Sequence, residues 1–239
     1  MSELVAMLLK RDLFGAVERL EVTSASGSIV CVQRDTTCAA RGMRWLARRL
    51  AAREARALHA LRHLPGVPKL VSWDGERLRR TWLPGLPLQA AGNVSPAYFR
   101  DALRLLRRLH AAGLVHNDLA KEPNWLVGPD GRPALVDFQL AMQPSVRGRV
   151  FRMLARDDLR HLLKHKRSYC SAQLTVRQKA ILARRSPLAA GWSRLVKPVY
   201  RFVTRRMLGW ADREGAGDRG AGYGSSNSKS SAGASPGRK

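Results

Sequence analysis

The sequence predicts an α+β fold with a small, strand-rich amino-terminal part and a mainly helical carboxy-terminal part. The first observation is GSIVCVQRD (27–35), which alternates Ile29 and Cys31 against Val30 and Val32, as a strand does. The second is that helical spacing of apolar residues dominates the later part of the chain. We therefore expect a small antiparallel sheet with one long helix, followed by a shortened, mainly helical part.

The long helix is predicted from RGMRWLARRLAAREARALHAL (41–61), which ends before a Pro-Gly-Val-Pro turn. Residues 69–83 have the pattern of a hairpin whose two strands are joined by Asp74-Gly75. Residues 1–25 mix short apolar pairs with charges. Their pattern is ambiguous, with strands among the options.

The carboxy-terminal part begins with the helical pattern SPAYFRDALRLLRRLHAAG (95–113), which has Ser95 as its N-cap, Pro96 at its first position and Gly113 at its end. Two short apolar segments, NWLVG and ALVDF, then flank the turn PDGRP (129–133). Further helical patterns follow at 150–166, 175–185 and 195–210.

Composition divides the chain into three stretches. The sequence PGLP (84–87) interrupts the chain after the predicted hairpin. The Gly/Ser-rich end has almost no large apolar groups that could offset its ordering entropy. We predict an amino-terminal lobe at 1–83, a carboxy-terminal lobe at 84–210 and a disordered tail at 211–239.

The three cysteines, Cys31, Cys38 and Cys170, are odd in number and lack metal-ligand spacing, which argues against a disulfide framework and against zinc. The first residues lack a basic leader, and no apolar run approaches the length that is needed to cross a bilayer. We therefore expect a cytoplasmic protein.

The formal net charge of +25 predicts attraction to a polyanion, which could be nucleic acid, an anionic membrane surface or a phosphorylated ligand. Alternatively, the arginines are solvated on helix faces and reflect a compositional bias. No aromatic-basic stacking pattern accompanies the charge, so a nucleic-acid partner is not expected. The segment 195–210 could lie peripherally on the inner membrane face or form the last helix of the second lobe.

Residues with the chemistry of a metal site follow the helix at 95–113. The chain enters a loop that holds Asp118 and Asn124, and the predicted hairpin then returns to present Asp137. A buried carboxylate needs a positive partner. Oxygen ligands of this kind suit Mg²⁺, which proteins hold with one or two carboxylates and the phosphates of a substrate. We therefore expect these three side chains to meet at one site.

The segment LRRLHAAGLVHNDLAKEPNWLV, followed by VDFQLA, resembles the catalytic loop and metal-binding segment of protein-kinase-like phosphotransferases, whose pattern is His-x-Asp, Asn and Asp-Phe-Gly. It is most similar to the minimal bacterial branch that includes RIO-like serine/threonine kinases and lipopolysaccharide (Kdo) kinases. The resemblance covers about residues 28–165. It implies a two-lobed protein-kinase-like fold that uses ATP and Mg²⁺.

The resemblance assigns roles in the second lobe by position. Asp118 would orient the attacking hydroxyl or accept its proton, and Lys121 would neutralise the transferred phosphoryl group. Asn124 and Asp137 would hold Mg²⁺ against the nucleotide phosphates. His116 would be a scaffold residue of the loop.

The resemblance also assigns the nucleotide contacts of the first lobe. CVQR aligns with the strand that normally ends in the ATP-binding lysine, which places Arg34 at the phosphates and Val32 against adenine. Glu54, in the long helix, would pair with Arg34. The backbone groups of Trp82 and Leu83 would meet the adenine edge.

Four features depart from the family pattern. Arg34 replaces the lysine, and KRDLFGAV is a poor Gly-rich loop. The interval from Asp118 to Asn124 is one residue longer than usual, and Gln139 replaces the last glycine of Asp-Phe-Gly. No long activation segment ending in Ala-Pro-Glu follows, so regulation by activation-loop phosphorylation is not expected.

The resemblance implies a kinase that phosphorylates a free hydroxyl of a protein or glycolipid acceptor. Protein serine or threonine is the expected acceptor, and a lipopolysaccharide core sugar is the alternative. The four departures leave a pseudokinase, which binds without phosphotransfer, as a further alternative. Asp157 and Asp158 could begin a helix or brace the catalytic loop.

Overall fold

The computed structural model describes residues 3–24, 27–144 and 147–184. In these ranges, a five-stranded antiparallel sheet and one long helix form the first lobe, and three helices with a three-stranded sheet form the second. This architecture confirms the predicted α+β, two-lobed fold. The segment 195–210 and the tail 211–239 lie outside the described residues.

The strands of the first lobe are Glu3–Asp12 (β1), Gly15–Ser24 (β2), Gly27–Asp35 (β3), Leu70–Trp73 (β4) and Arg77–Thr81 (β5). Their order in the sheet is β1-β2-β3-β5-β4, and every neighbouring pair is antiparallel. The segment with the ambiguous pattern contains the first two strands. The strand at 27–35 and the hairpin formed by β4 and β5 are confirmed.

The long helix α1, Arg44–Ala60, packs against β4 and β5 through its small residues. Ala51 and Ala55 are buried against Leu78 of β5, and their short side chains let the helix approach the sheet closely. Glu54 is also fully buried on this helix. The close packing of α1 therefore carries a carboxylate into the interior, where it needs a positive partner.

The helices of the second lobe are Pro96–Ala111 (α2), Arg149–Tyr169 (α3) and Val176–Ala183 (α4), and its strands are Leu86–Pro87 (β6), Trp125–Val127 (β7) and Pro133–Leu135 (β8). Ser95 caps α2 as predicted, because its Oγ accepts a hydrogen bond of 3.3 Å from the N–H of Tyr98. Gly113 follows the end of α2 with φ of +80°. No helix of the described ranges is long and apolar enough to span a bilayer.

One hydrophobic core joins the two lobes. Leu58 of α1 and Leu61, which follows its end, belong to the same cluster of buried side chains as the apolar faces of α2 and α3. The largest fully buried side chains include Trp125, Tyr98, Phe138, Leu106 and Leu135. Because α1 is part of this cluster, the core fixes the position of Glu54 relative to the second lobe.

A backbone hydrogen bond also links the lobes at the connection between α1 and β4. The N–H of Leu135 in β8 donates to the carbonyl of Gly66, at 2.8 Å. Gly66 has φ of +79°, and a Cβ atom there would lie 3.0 Å from the carbonyl oxygen of Pro133. The connection can approach β8 this closely because residue 66 has no side chain.

Gly15 closes the tight turn between β1 and β2, and we expect Gly15→Ala to lower the free energy of unfolding by more than about 3 kcal/mol. Its φ is +125°, and a Cβ atom there would lie 2.1 Å from the carbonyl oxygen of Asp35, so the strands would have to separate. Gly42→Ala is the matched control, since Gly42 has φ of +85° but a Cβ atom added there would have no neighbouring atom of the described residues within 4 Å. It should cost about 1 kcal/mol. Denaturant unfolding measures both losses, and equal losses would contradict the steric role of Gly15.

Candidate active site

The candidate active site is built on a segment whose two ends are hydrogen-bonded to each other. Val115, just after α2, and Met142 exchange two backbone hydrogen bonds of 2.9 Å. The hairpin of β7 and β8 lies between them and pairs Trp125 with Leu135. This closed segment contains the loop at 116–121 and all the residues that the sequence predicts for catalysis and metal binding.

Asp118, Lys121 and Asn124 are brought together in the loop. The Nδ2 of Asn124 donates to the carbonyl oxygen of Asp118 at 2.8 Å and to its Oδ2 at 3.0 Å. The Nζ of Lys121 lies 3.1 Å from the same Oδ2. Although the interval is one residue longer than the family pattern, Asn124, at the end of the short 3₁₀ helix Glu122–Asn124, still contacts Asp118.

Asp137 is held beside this cluster in a strained backbone conformation. Its φ is +64° and its ψ is +72°, a left-handed region that non-glycine residues rarely adopt. The preceding N–H, that of Val136, donates to the carbonyl of Asn124 at 3.1 Å. The next residue, Phe138, has a fully buried side chain. The backbone on both sides of Asp137 is therefore fixed, and the residue before it is hydrogen-bonded to Asn124.

Asp158 of α3 holds the backbone of the loop. Its Oδ2 accepts a hydrogen bond of 2.8 Å from the N–H of His116, and its Oδ1 accepts one of 3.0 Å from the N–H of Asn117. The Nε2 of His110 lies 3.2 Å from Oδ2, and Asp158 is 1% exposed. Of the two roles that the sequence left open, Asp158 has the bracing one. Asp157 instead lies 3.4 Å from Nε2 of His161.

His116 is a scaffold residue, as the resemblance implies. Its Nε2 lies 3.0 Å from the carbonyl oxygen of Val136, immediately before Asp137. Its ring packs on Phe138 with the ring centroids 4.7 Å apart. His116 therefore connects the loop of Asp118 to the segment of Asp137.

Two further residues of α3 hold the loop, and sequence reasoning missed both. Nε2 of His165 lies 2.8 Å from the carbonyl oxygen of Leu119, and the hydroxyl of Tyr169 donates to Oε2 of Glu122 at 2.7 Å. Burial lowers the pKa of His165, although the bond to Leu119 acts in the opposite direction. With Asp158, these residues lie at i, i+7 and i+11, one face of a helix. That spacing is the signal that could have identified them.

The prediction that Arg34 forms the ion pair with Glu54 is wrong, because among the described residues Glu54 forms its salt bridge with Arg80. Nε of Arg80 lies 3.1 Å from Oε1 of Glu54, and Glu54 is fully buried. Burial raises the pKa of Glu54, and the charges of Arg80 and, to a smaller extent, Arg34 oppose this. Arg80 pairs in register with Val32, so the two side chains share a face of the sheet. The sequence prediction missed Arg80 because it considered only the motif strand.

The predicted adenine contacts are partly available. Val32 is buried in the sheet. The N–H of Trp82 donates to the carbonyl of Val30 at 3.1 Å, which is a bond within the sheet region. This N–H is therefore not open to a nucleotide, contrary to expectation, and the contacts left at the linker are the Trp82 carbonyl and the backbone of Leu83. The guanidinium of Arg19 lies over the Trp82 ring, 5.1 Å from its centroid.

The donor set fits Mg²⁺ with a nucleotide better than it fits a metal held by protein alone. The described residues contain no group of three or more His, Cys, Asp or Glu side chains that could hold a metal ion. Because the Nδ2 of Asn124 donates to Asp118, its Oδ1 remains as a ligand atom. One amide oxygen and the carboxylate of Asp137 match the few protein ligands that Mg²⁺ takes when substrate phosphates supply the others.

This fold and this loop define a protein-kinase-like phosphotransferase. The family model for the RIO domain matches residues 30–178, and the chain therefore belongs to the RIO domain family, whose members are kinase-type enzymes. Comparison with curated proteins gave no significant match.

Two solved structures of the Rio2 kinase from Chaetomium thermophilum are similar in fold. The crystal structure of the kinase is 16% identical, covers 86% of this chain and 72% of that chain, and has a TM-score of 0.54. The ADP/Mg²⁺-phosphoaspartate complex of the same kinase is 14% identical, covers 86% and 70%, and also has a TM-score of 0.54. At these identities the similarity concerns the fold.

We expect Asp158→Asn to lower the free energy of unfolding by about 2–4 kcal/mol, because an amide has one acceptor oxygen and leaves one buried N–H of the loop unpaired. Asp157→Asn is the control, since that carboxylate is 23% exposed and should contribute less than about 1 kcal/mol. Denaturant unfolding of the two variants measures the difference. Similar losses in both would rule out the bracing role of Asp158.

Proposed function

We propose that this protein is an ATP- and Mg²⁺-dependent kinase that transfers the γ-phosphoryl group to a serine or threonine hydroxyl of a protein. The observation that carries the proposal is the cluster in which Asn124 and Lys121 both contact the carboxylate of Asp118, while the backbone just before Asp137 is hydrogen-bonded to Asn124. Phosphoryl transfer depends mainly on positioning and charge stabilisation, and these side chains provide both.

Each side chain of the cluster has a role in this proposal. Asp118 orients the acceptor hydroxyl and accepts its proton, while the Nζ of Lys121, 3.1 Å from Asp118, stabilises the charge of the transferred group. Oδ1 of Asn124 and the carboxylate of Asp137 hold Mg²⁺. When bound, Mg²⁺ neutralises charge on the nucleotide phosphates.

The salt bridge between Arg80 and Glu54 changes how the phosphates are held. In the family pattern one lysine contacts both the helix glutamate and the phosphates. Here Arg80 contacts Glu54, and Arg34 lies near enough for its charge to oppose the rise in the pKa of Glu54 that burial causes, without a hydrogen bond to Glu54 among the described contacts. We assign Arg34 to the phosphates, where its planar group suits bidentate contacts.

Protein serine or threonine remains the proposed acceptor because the chain belongs to the RIO domain family. A glycolipid acceptor and a membrane contact have no support in the described residues. The cytoplasm remains the proposed location of the protein, and its three free cysteines are compatible with a reducing compartment. A structure of the similar Rio2 kinase contains a phosphoaspartate. The phosphate that this protein transfers should therefore be tested for an aspartyl phosphate as well as for a phosphoester.

We expect Asp118→Asn to reduce phosphate transfer from labelled ATP by at least about 10³-fold, because the amide cannot accept the hydroxyl proton. Thermal stabilisation by ATP with Mg²⁺ should persist in the variant, since Asn124 and Asp137 are intact. Asp157→Asn is the control and should retain full transfer. Hydroxylamine treatment of the labelled protein distinguishes an acyl phosphate, which it cleaves, from a phosphoester. A wild-type protein that binds nucleotide but transfers nothing would establish a pseudokinase instead.

Replacing Arg34 should affect ATP binding, whereas replacing Arg80 should affect stability. We expect Arg34→Gln to raise the KM for ATP at least tenfold with little change in stability, because Arg34 serves the phosphates. We expect Arg80→Met to lower the free energy of unfolding by about 3–5 kcal/mol, because it leaves the carboxylate of Glu54 buried and unpaired. ATP kinetics and denaturant unfolding of both variants check this. The reverse pattern would assign the phosphates to Arg80.

A further inference from the structure

A groove of about 660 Å³ lies between α2, the turn that joins β7 to β8, and the connection between α1 and β4. Leu83 and Pro84, in the linker between the lobes, form part of its wall. The catalytic and metal-binding candidates are absent from its lining, and Leu83 alone is shared with the predicted nucleotide contacts. The groove therefore adjoins the predicted nucleotide contacts at Leu83, and its other lining residues have no part in the proposed reaction.

Three arginines give this groove its charge. Arg104 and Arg108 project from successive turns of α2, and Arg132 comes from the β7–β8 turn. Asp101 is already hydrogen-bonded to Arg104 at 2.7 Å, and Asp130 lies 3.5 Å from Arg132 in an exposed pair. Arg108 has no acidic side chain within 4 Å among the described residues. The groove therefore carries positive charge that its own carboxylates do not compensate.

Prolines form much of the remaining wall of the groove. Four prolines line it, at Pro65, Pro84, Pro129 and Pro133. The turn between β7 and β8 is held by a hydrogen bond of 2.8 Å from the N–H of Gly128 to the carbonyl of Arg132. Because the ring of proline fixes its φ, these residues lose little backbone entropy when a ligand binds. The volume is sufficient for several side chains of an extended segment.

We propose that this groove binds an acidic, extended peptide segment of another protein. Carboxylates of the segment contact Arg104, Arg108 and Arg132, and its apolar side chains lie among the prolines. A guanidinium forms strong, often bidentate hydrogen bonds with carboxylates, and alternate side chains of an extended peptide point to opposite sides. One strand of peptide can therefore meet the arginines and the apolar wall at once.

Charge and composition favour this occupant over the alternatives. This chain is strongly basic, with a net charge of +25, so a second copy would bring more positive charge to the arginines. A single-stranded nucleic acid is usually bound on aromatic side chains that stack with bases. The lining of the groove contains no Phe, Tyr, Trp or His. An acidic peptide matches both the arginines and the proline-rich wall.

The test uses the full chain and a fluorescein-labelled peptide of about twelve residues, composed of glutamates with two leucines. Fluorescence anisotropy at physiological salt gives Kd. We expect the double variant Arg104→Glu, Arg108→Glu to raise Kd at least tenfold. The matched control is Arg100→Glu, Arg107→Glu, which changes the net charge equally on the same helix but outside the groove. The control should change Kd less than threefold.

Two additional measurements separate groove binding from surface charge. Hydrogen–deuterium exchange of the wild-type protein should show peptide-dependent protection at 101–108 and 128–134. A labelled uridine-rich RNA of equal charge should bind without dependence on Arg104 and Arg108. Equal weakening by both double variants, no peptide binding by the wild-type protein, or an RNA affinity with the same arginine dependence would each overturn the proposal. None of these outcomes depends on whether the protein transfers phosphate.

Discussion

The carboxylate of Asp158 is the contact on which the geometry of the site depends. A buried carboxylate is costly unless hydrogen bonds satisfy it, and here two consecutive loop amides, those of His116 and Asn117, donate to its two oxygens. These bonds fix the backbone immediately before Asp118. They also place the His116 ring against the Val136 carbonyl, one residue before Asp137. One side chain of α3 therefore sets the relative position of both aspartates of the site.

The first lobe contains a second buried carboxylate, that of Glu54, whose oxygens have an ion-pair partner but accept no hydrogen bond from the described residues. Glu54 is fully buried because alanines bring α1 close to the sheet, and the helix also joins the core of the second lobe through Leu58. A salt bridge to Arg80, on the strand next to β3, meets its charge. The replacement of lysine by Arg34 thus accompanies a different partner for the glutamate. Arg34, which departs from the family pattern, therefore occurs together with a salt bridge between Glu54 and a different arginine, Arg80.

The sequence could predict the features that depend on local spacing, such as helices and the loop motif. It could not predict the features that depend on contacts between distant elements. The helices have periodic patterns and the loop motif has fixed intervals, and the predicted helices of the described ranges and the RIO-like resemblance are confirmed. The first strand gives no such signal, because Val5, Met7 and Leu8 are 57%, 60% and 56% exposed and the strand lacks the buried face that creates alternation. Whether Glu54 pairs with Arg80 or with Arg34 depends on the register of the strands and on the position of α1, and the sequence alone does not specify these.

The backbone of the site has unusual conformations on both sides of the polar cluster. Among the described residues, the non-glycine residues with positive φ are Asn117 and Asp137, each at +64°. They lie on either side of the cluster formed by Asp118, Lys121 and Asn124. Such conformations cost free energy and persist where surrounding contacts fix them. Here the bonds to Asp158 fix one and the burial of Phe138 fixes the other. Strain that is concentrated around one set of polar side chains favours a site that positions reacting groups over a loop that only connects a helix to a hairpin.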